Sequence, residues 1–492
     1  MESENMKGTR WLTRIAPVLV LMLLASACSF GAGNADNEVV PSTLKVMYYD
    51  ERSFFQQYGM LFSATHPHVD IEVASTQNLF SSGTVIEDYN QMMLDFIEDE
   101  QPDVLMLSAE QYTELAQDGR LYELSKLTSD ESFDLEGLMP GLIDYMTELS
   151  DGKLYGLSPT FHSQVIYYNV DLFEQYGVPQ PTDQMSWEQL IELAMRFPTD
   201  GGENRVYGLK AGYEGSVSEL ATMIAGTYGL SLIDPGQMQV LINTDAWKSA
   251  FQTALNAVQS GTLYVQDPEN WFGGGSYEEY LLQDPFISGK LAMAVDGQYL
   301  INQLDSAQDY LQDRGIQNWD LITMPVDPNN PDVSAHVNLS NIFAINANSA
   351  NIEAAEQFIR YLHSDEFARV SSRSHLGSGF PVRTKYIESK EDINMEAFYK
   401  LKPASNELYR DYGELPAQFF SEFQGILQEE LDKVINGDEL LDNALDNLQV
   451  RAQEALIRAK QQEEEEKAQQ GEAATVTEPV VQEGQVSIEI AR

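Results

Sequence analysis

Leu44-Lys45-Val46-Met47-Tyr48-Tyr49 and, one helix length further on, Val69-Asp70-Ile71-Glu72-Val73 decide the fold. The first run is rich in β-formers, and the second alternates apolar with acidic side chains, so both read as strands. Between them, residues 54–65 carry apolar side chains at helical spacing. Strand, helix and strand make a β-α-β unit. A helix over 89–100, the apolar strand Val104-Leu105-Met106-Leu107 and a helix over 110–118 that stops at Gly119 continue the pattern. Alternation of this kind predicts a mainly parallel sheet with covered faces.

The same habit returns later in the chain. A strand at 165–169, helices at 187–196 and 218–227, a helix at 244–261, and strands at 291–295, 321–324 and 342–345 imply a second α/β lobe. Ser186 and Gln189 have the spacing of a capping box. Residues 354–371 and 418–435 are amphipathic and suit long helices packed on the lobes. A length of 492 residues exceeds what one core can hold, so the class expected is α/β with two lobes. From residue 463 to 492 the chain becomes an acidic, low-complexity tail with little to bury, read as disordered or frayed.

At the other end, Lys7, Arg10 and Arg14 precede an apolar run at 15–25 that is too short for a spanning helix. Residues 1–27 therefore read as a signal peptide. Cys28, the sole cysteine, follows Leu24-Ala25-Ser26-Ala27, where small residues suit a signal peptidase and the thiol can accept a diacylglycerol group. This resembles a lipobox, although Ala25 stands where such boxes usually carry Leu; a lone free thiol is the other reading. Residues 28–41 suit a flexible tether, and the lipid would be the only anchor on the extracytoplasmic face of the membrane. The net charge of −48 repels nucleic acid and anionic membrane surfaces.

Asp151-Gly152-Lys153, Tyr155-Gly156-Leu157-Ser158-Pro159 and Val165-Ile166-Tyr167-Tyr168-Asn169-Val170-Asp171-Leu172-Phe173 are followed in order by three further stretches: Phe286-Ile287-Ser288-Gly289-Lys290-Leu291-Ala292-Met293; Ala344-Ile345-Asn346 with Ala354-Ala355-Glu356-Gln357-Phe358-Ile359; and Phe380-Pro381 after Gly377. In these stretches, collinear over residues 44–460, the chain resembles the family 1 extracellular solute-binding proteins, the maltose-binding-protein-like group. The resemblance implies a periplasmic-binding-protein-like fold, with a ligand cleft between lobes joined by several crossing segments and closed by a hinge. It also implies a monomer that is not an enzyme, needs no cofactor, captures a small molecule such as a sugar or oligosaccharide, and hands it to the membrane permease of an ABC importer. Carried over by position, the crossings fall near 161–164, 323–326 and 372. Lobe 1 is then 42–161 with 326–372, and lobe 2 is 162–325 with 373–462.

In open α/β sheets, loops leaving the carboxyl ends of strands line the ligand crevice. Tyr49, Asp50 and Glu51 follow the first strand, where acidic side chains can accept hydrogen bonds from sugar hydroxyls; a solvated turn is the plainer alternative. Glu110 follows the strand at 104–107 and is either a ligand contact or a first-turn charge. His162 lies in the first crossing and is either a ligand contact or an interdomain histidine. Tyr213 and Glu214 follow a strand at 206–210, and Asp296, Gln298 and Tyr299 follow the strand at 291–295. The resemblance puts a ring-stacking aromatic at Tyr299, where tryptophan is common; tyrosine offers a smaller face and adds a hydroxyl. Trp271, with Phe272 before three glycines, reads as an aromatic ligand loop or as local packing.

Three rival functions leave weaker traces, and a non-sugar solute is an alternative cargo for the same fold. A glycosidase or lyase would need two acids at a defined separation, but among 77 Asp and Glu a pair means nothing, and no nucleophile elbow or phosphate loop is present. Metal capture could draw on His66-Pro67-His68, Tyr48-Tyr49 or Tyr167-Tyr168, yet neighbours on a strand point to opposite faces, so no metal is expected. A structural lipoprotein without a small ligand is the third.

Overall fold

The computed structural model describes residues 41–80, 89–130, 133–200, 202, 205–234, 236–266, 275–373, 379–409 and 415–476. The strands that organise it are, in chain order, β1 (Ser42–Tyr48), β2 (Val69–Ser75), β3 (Val104–Leu107), β4 (Gly156–Leu157), β5 (Thr160–Asn169), β6 (Tyr207–Lys210), β7 (Leu291–Gly297), β8 (Trp319–Thr323), β9 (Val337–Asn338), β10 (Ile342–Ile345) and β11 (Phe380–Pro381). Among them stand two main sheets. The first has the order β2-β1-β3-β10-β4, and the second β8-β5-β7-β6 with β9 and β11 added to the start of β5.

A mainly parallel arrangement is not what forms. β1 pairs in parallel with β2 and β3, but β10 runs antiparallel to β3 and β4. In the second sheet, β5 is antiparallel to both β7 and β8, and only β6 with β7 is parallel. The cause is the path of the chain. β1 and β3 run towards the crossings, whereas β10 enters the first sheet from them, so it must point the other way. β5 likewise enters the second sheet from the crossing at which β7 ends, with Gln164 opposite Gly297.

Each sheet has its own core. Leu44, Val46, Phe54, Tyr58, Phe343 and Phe358 meet over the first sheet, with the Tyr58 and Phe343 rings 5.0 Å apart. One face of the second sheet buries Phe173, Trp187 and Phe251, and the other buries Tyr167, Phe286 and Leu321. Burial of such apolar surface, aliphatic and aromatic, is the main favourable contribution to folding in either lobe.

Between the cores, described segments lie side by side. Phe161 pairs with Phe380, His162 with Asn338 and Ser163 with Val337. The second crossing is therefore at Val337–Asn338 rather than at 323–326, because Thr323 still belongs to β8 and Met324 is buried in the second core. The third is not near Ser372: Phe380 packs against both cores, Val382 returns to the first, Arg383 donates to Asp134 in the first lobe, and the chain reaches the second lobe after Ile387, where Lys390 pairs with Asp305.

The helices that matter below are α1 (Ala109–Gln117), α2 (Val217–Thr227), α3 (Tyr277–Gln283), α4 (Tyr299–Leu311), α5 (Ile352–Leu362), α6 (Ala417–Ile435) and α7 (Leu441–Val476). The helix expected over 354–371 breaks after α5, where Ser364 accepts a bond from the Phe367 N–H at 3.1 Å and caps a new helix, Asp365–Ser371. α6 and α7 form a hairpin that buries Phe419, Phe423, Leu448 and Leu456 on the second core. α7 also corrects the reading of the tail. Residues 463–476 are helical, since Gln, Glu, Lys and Ala are good helix formers on a helix already nucleated by packing, while 477–492 lie outside the described residues. Among the described residues no helix is long and apolar enough to cross a membrane.

Candidate functional site

Where the crossings enter the second sheet there is a cavity of about 780 Å³, lined among others by His162, Gln164, Gln298, Tyr299, Asn302 and Asn338. The amide of Gln298 donates to His162 Nδ1 at 2.9 Å, so that nitrogen is the acceptor and the ring proton sits on Nε2. Burial pushes the His162 pKa down and favours this neutral form. Tyr299 opens α4 and leaves 68% of its surface exposed at the cavity. Beside it, Asp296 Oδ1 accepts from the Gly297 N–H at 2.7 Å, and Tyr167 donates its hydroxyl to the Gly297 carbonyl at 2.7 Å. Burial raises the Asp296 pKa, the charge of Asp284 acts in the same sense, and Lys210 opposes both. His336, on the second crossing, also lines the cavity, and burial drives its pKa down to about 4.

The loop of Tyr213 and Glu214 is held by one carboxylate. Glu219 accepts the backbone N–H groups of Tyr213 at 3.0 Å, Glu214 at 2.9 Å, Gly215 at 2.8 Å and Ser216 at 3.3 Å. Hydrogen bonds to a charged acceptor are the stronger kind, so this loop is pre-formed. It delivers Tyr213 to a second cavity of about 650 Å³, shared with Lys210, Tyr264, Tyr280, Asp284 and Gln303.

The first-lobe candidates stand apart from both cavities. β1 ends at Tyr48, and β3 ends at Leu107 opposite Ile342, where β10 leaves the crossings. Tyr49, Asp50, Glu51 and Glu110 thus occupy the crossing end of the first sheet, but none lines the cavity at the second. Asp50 caps the helix Glu51–Phe54, accepting the Ser53 N–H at 2.9 Å, and bonding to Ser53 holds its carboxyl below the usual range. The Tyr49 carbonyl accepts from Ser75 Oγ at 2.9 Å, and Glu51 and Glu110 are exposed. Trp271 and Cys28 lie outside the described residues.

The structure therefore gathers His162, Gln298 and Tyr299 at one cavity and sets Tyr213 at another. Gln164, Asn302, His336 and Asn338 were not legible as site residues. Asn302 becomes so once 299–311 is read as a helix, because it lies one turn after Tyr299; His336 and Asn338 carry no local signal. Among the described residues, no group of three or more His, Cys, Asp or Glu could hold a metal ion. His66 instead stacks on Phe62, with ring centroids 4.3 Å apart.

Comparison with known proteins follows this geometry. Putative binding proteins of Brucella abortus are 29% identical over 154 residues, 31% of this chain but only 35% of their own length. A maltooligosaccharide ABC transporter solute-binding lipoprotein of Streptococcus pneumoniae is 23% identical over 412 residues, covering 80% of this chain and 85% of the relative. A sugar transporter from Rhizobium etli, solved in an open conformation, superimposes with a TM-score of 0.58 at 22% identity over 83% of this chain and 98% of that one, a likeness of fold. Residues 40–368 match the sequence profile of the bacterial extracellular solute-binding proteins, two-thirds of the chain including the first sheet, all of the second but β11, and the first two crossings, and this protein belongs to that family.

Proposed function

We propose that this protein captures a neutral sugar or oligosaccharide outside the cytoplasmic membrane and presents it to the permease of an ABC importer, tethered by a lipid on Cys28. The observation that carries the reading is the cavity at the crossings, which an exposed aromatic, Tyr299, lines together with the polar groups of His162, Gln298, Asn302 and Asn338. Neutral hydrogen-bonding groups beside an aromatic ring suit hydroxyls and the apolar face of a sugar, and of the charged groups that also line the cavity Lys390 and Asp305 pair with each other. Neither lobe alone buries such a ligand. Contacts from Tyr299 on one side and from Tyr49, Asp50, Glu51 or Glu110 on the other exist together only when the lobes close, so binding shifts the population towards the closed form. The S. pneumoniae relative, a maltooligosaccharide ABC transporter solute-binding lipoprotein, supports the same class of cargo and the same anchor. Pure binding, not turnover, is the proposed activity.

A thermal-shift screen against neutral sugars and polyols tests the cargo, because a ligand that binds only the native state raises the melting temperature. Small-angle scattering with the stabilising sugar should then show compaction. No stabilising sugar, or no change in dimensions at saturation, would sink the proposal. The anchor is tested separately: Cys28→Ala should move the protein from the membrane fraction to the medium or periplasm.

A further inference from the structure

α4 carries a feature that the cavity does not use up. Tyr299, Gln303, Ser306 and Tyr310 are spaced by four, three and four residues, which at 100° per residue puts them on one narrow stripe of the helix. The stripe is about 16 Å long at ~1.5 Å per residue. Its first residue lines the cavity at the crossings, and its second, Gln303, lines the other cavity and donates to the Tyr280 hydroxyl at 3.3 Å. Its last, Tyr310, meets Tyr277 of α3 edge-on at 5.1 Å, and Tyr277 stacks on Tyr280 at 5.9 Å. Tyr277, Tyr280, Tyr299 and Tyr310 all remain substantially exposed.

We infer that this stripe is a glycan platform that extends the ligand site beyond the cleft, so that the protein takes a long neutral oligosaccharide whose far end lies along α4 and rests on Tyr277 and Tyr310. The inference rests on the carbohydrate reading of the cavity. The platform starts at that cavity with Tyr299 and continues one helical turn on to Gln303 and Tyr280, which line the second cavity, and its remaining rings hold one another in place, which reduces the ordering cost of binding. Along the stripe two rings bracket an amide and a hydroxyl, groups that can meet the apolar faces and the hydroxyls of successive sugars. The net charge of −48 opposes an anionic glycan or membrane on this surface.

The test is titration calorimetry with disaccharides and heptasaccharides of α- and β-linked neutral glucans, on the wild type and on Tyr277→Ser/Tyr310→Ser. The wild type should bind a heptasaccharide about tenfold more tightly than its disaccharide, and the double variant should lose that advantage while keeping the disaccharide affinity. If the double variant melts earlier than the wild type, Tyr310→Ser alone is read in the same way. Equal affinity for both lengths, or an advantage that survives the substitutions, overturns the platform and leaves the cavity reading standing. Unchanged glycan affinity with impaired importer-dependent uptake overturns it in favour of protein docking. No binding of any glucan by the wild type overturns this inference, and the thermal-shift screen against other sugars then decides whether the cavity reading falls with it.

Discussion

Tyr299 is the residue on which the proposed site turns, because it is the aromatic ring that opens most widely onto the cavity at the crossings. A stacked ring contributes roughly 1 kcal/mol beyond simple area. Tyr299→Ala should therefore weaken binding of the stabilising sugar about tenfold, with the melting temperature of the free protein unchanged since the side chain packs against little. Calorimetric titration checks this, and wild-type affinity in the variant would remove Tyr299 from the site. Asp50, proposed as a first-lobe contact, also has a local role. Its position after a strand made it a candidate ligand group, and the structure shows its Oδ1 accepting the Ser53 N–H as a helix cap. A strand-end acid and an N-cap acid look alike in sequence, because both sit between an apolar strand and a helix.

Among the elements, β5 does the joining. Its first residues pair with β9 and β11, and its remainder pairs with β7 and β8 inside the second lobe, so one strand serves as both crossing and core. Gly379 lies at the entry to β11 with φ of +85°, and a Cβ there would come within 2.5 Å of the Phe161 carbonyl oxygen. The crossing strands approach this closely only because the side chain is missing. Gly379→Ala should cost about 1–3 kcal/mol from backbone strain and displacement of β5, read as a lower urea midpoint. A midpoint equal to the wild type would show that the crossing relaxes without cost. By contrast, among the described side chains of α7 the last fully buried one is Ala459.

For the molecule as a whole, burial of histidine sets an acid limit on stability. His363 is 1% exposed in the first core, its Nδ1 bonds the Ile359 carbonyl at 2.8 Å, and burial, aided by the charge of Arg383, lowers its pKa from 6.5 to about 4. The unfolded chain takes up this proton first. Stability is therefore fully present above about pH 6.5 and falls as pH drops towards 4, by about 3 kcal/mol from His363. His336 at the crossing is displaced in the same direction. Melting curves at successive pH values should show the decline, and His363→Gln should flatten it between pH 6.5 and 4; an unchanged slope would mean the group is protonated in the fold.

Most of the strand and helix order, the two-lobed α/β class and the family were determined by the sequence alone, since they depend on periodicity within each element and on the order of short motifs along the chain; β4, β9 and β11, two residues each, were not legible. β3 at Val104–Leu107 and β10 at Ile342–Ile345 are legible from their own four residues. The sense of the sheets, the positions of the later crossings and the membership of the cavity were decided only by tertiary structure. Gln298 and His162 are 136 residues apart and meet at 2.9 Å because β5 and β7 run antiparallel to each other with Gln164 opposite Gly297, a relation that no local pattern encodes. The tyrosines of α3 and α4 likewise form one surface only when two helices pack side by side, because helical spacing can align residues within a helix but cannot say which neighbour it will meet.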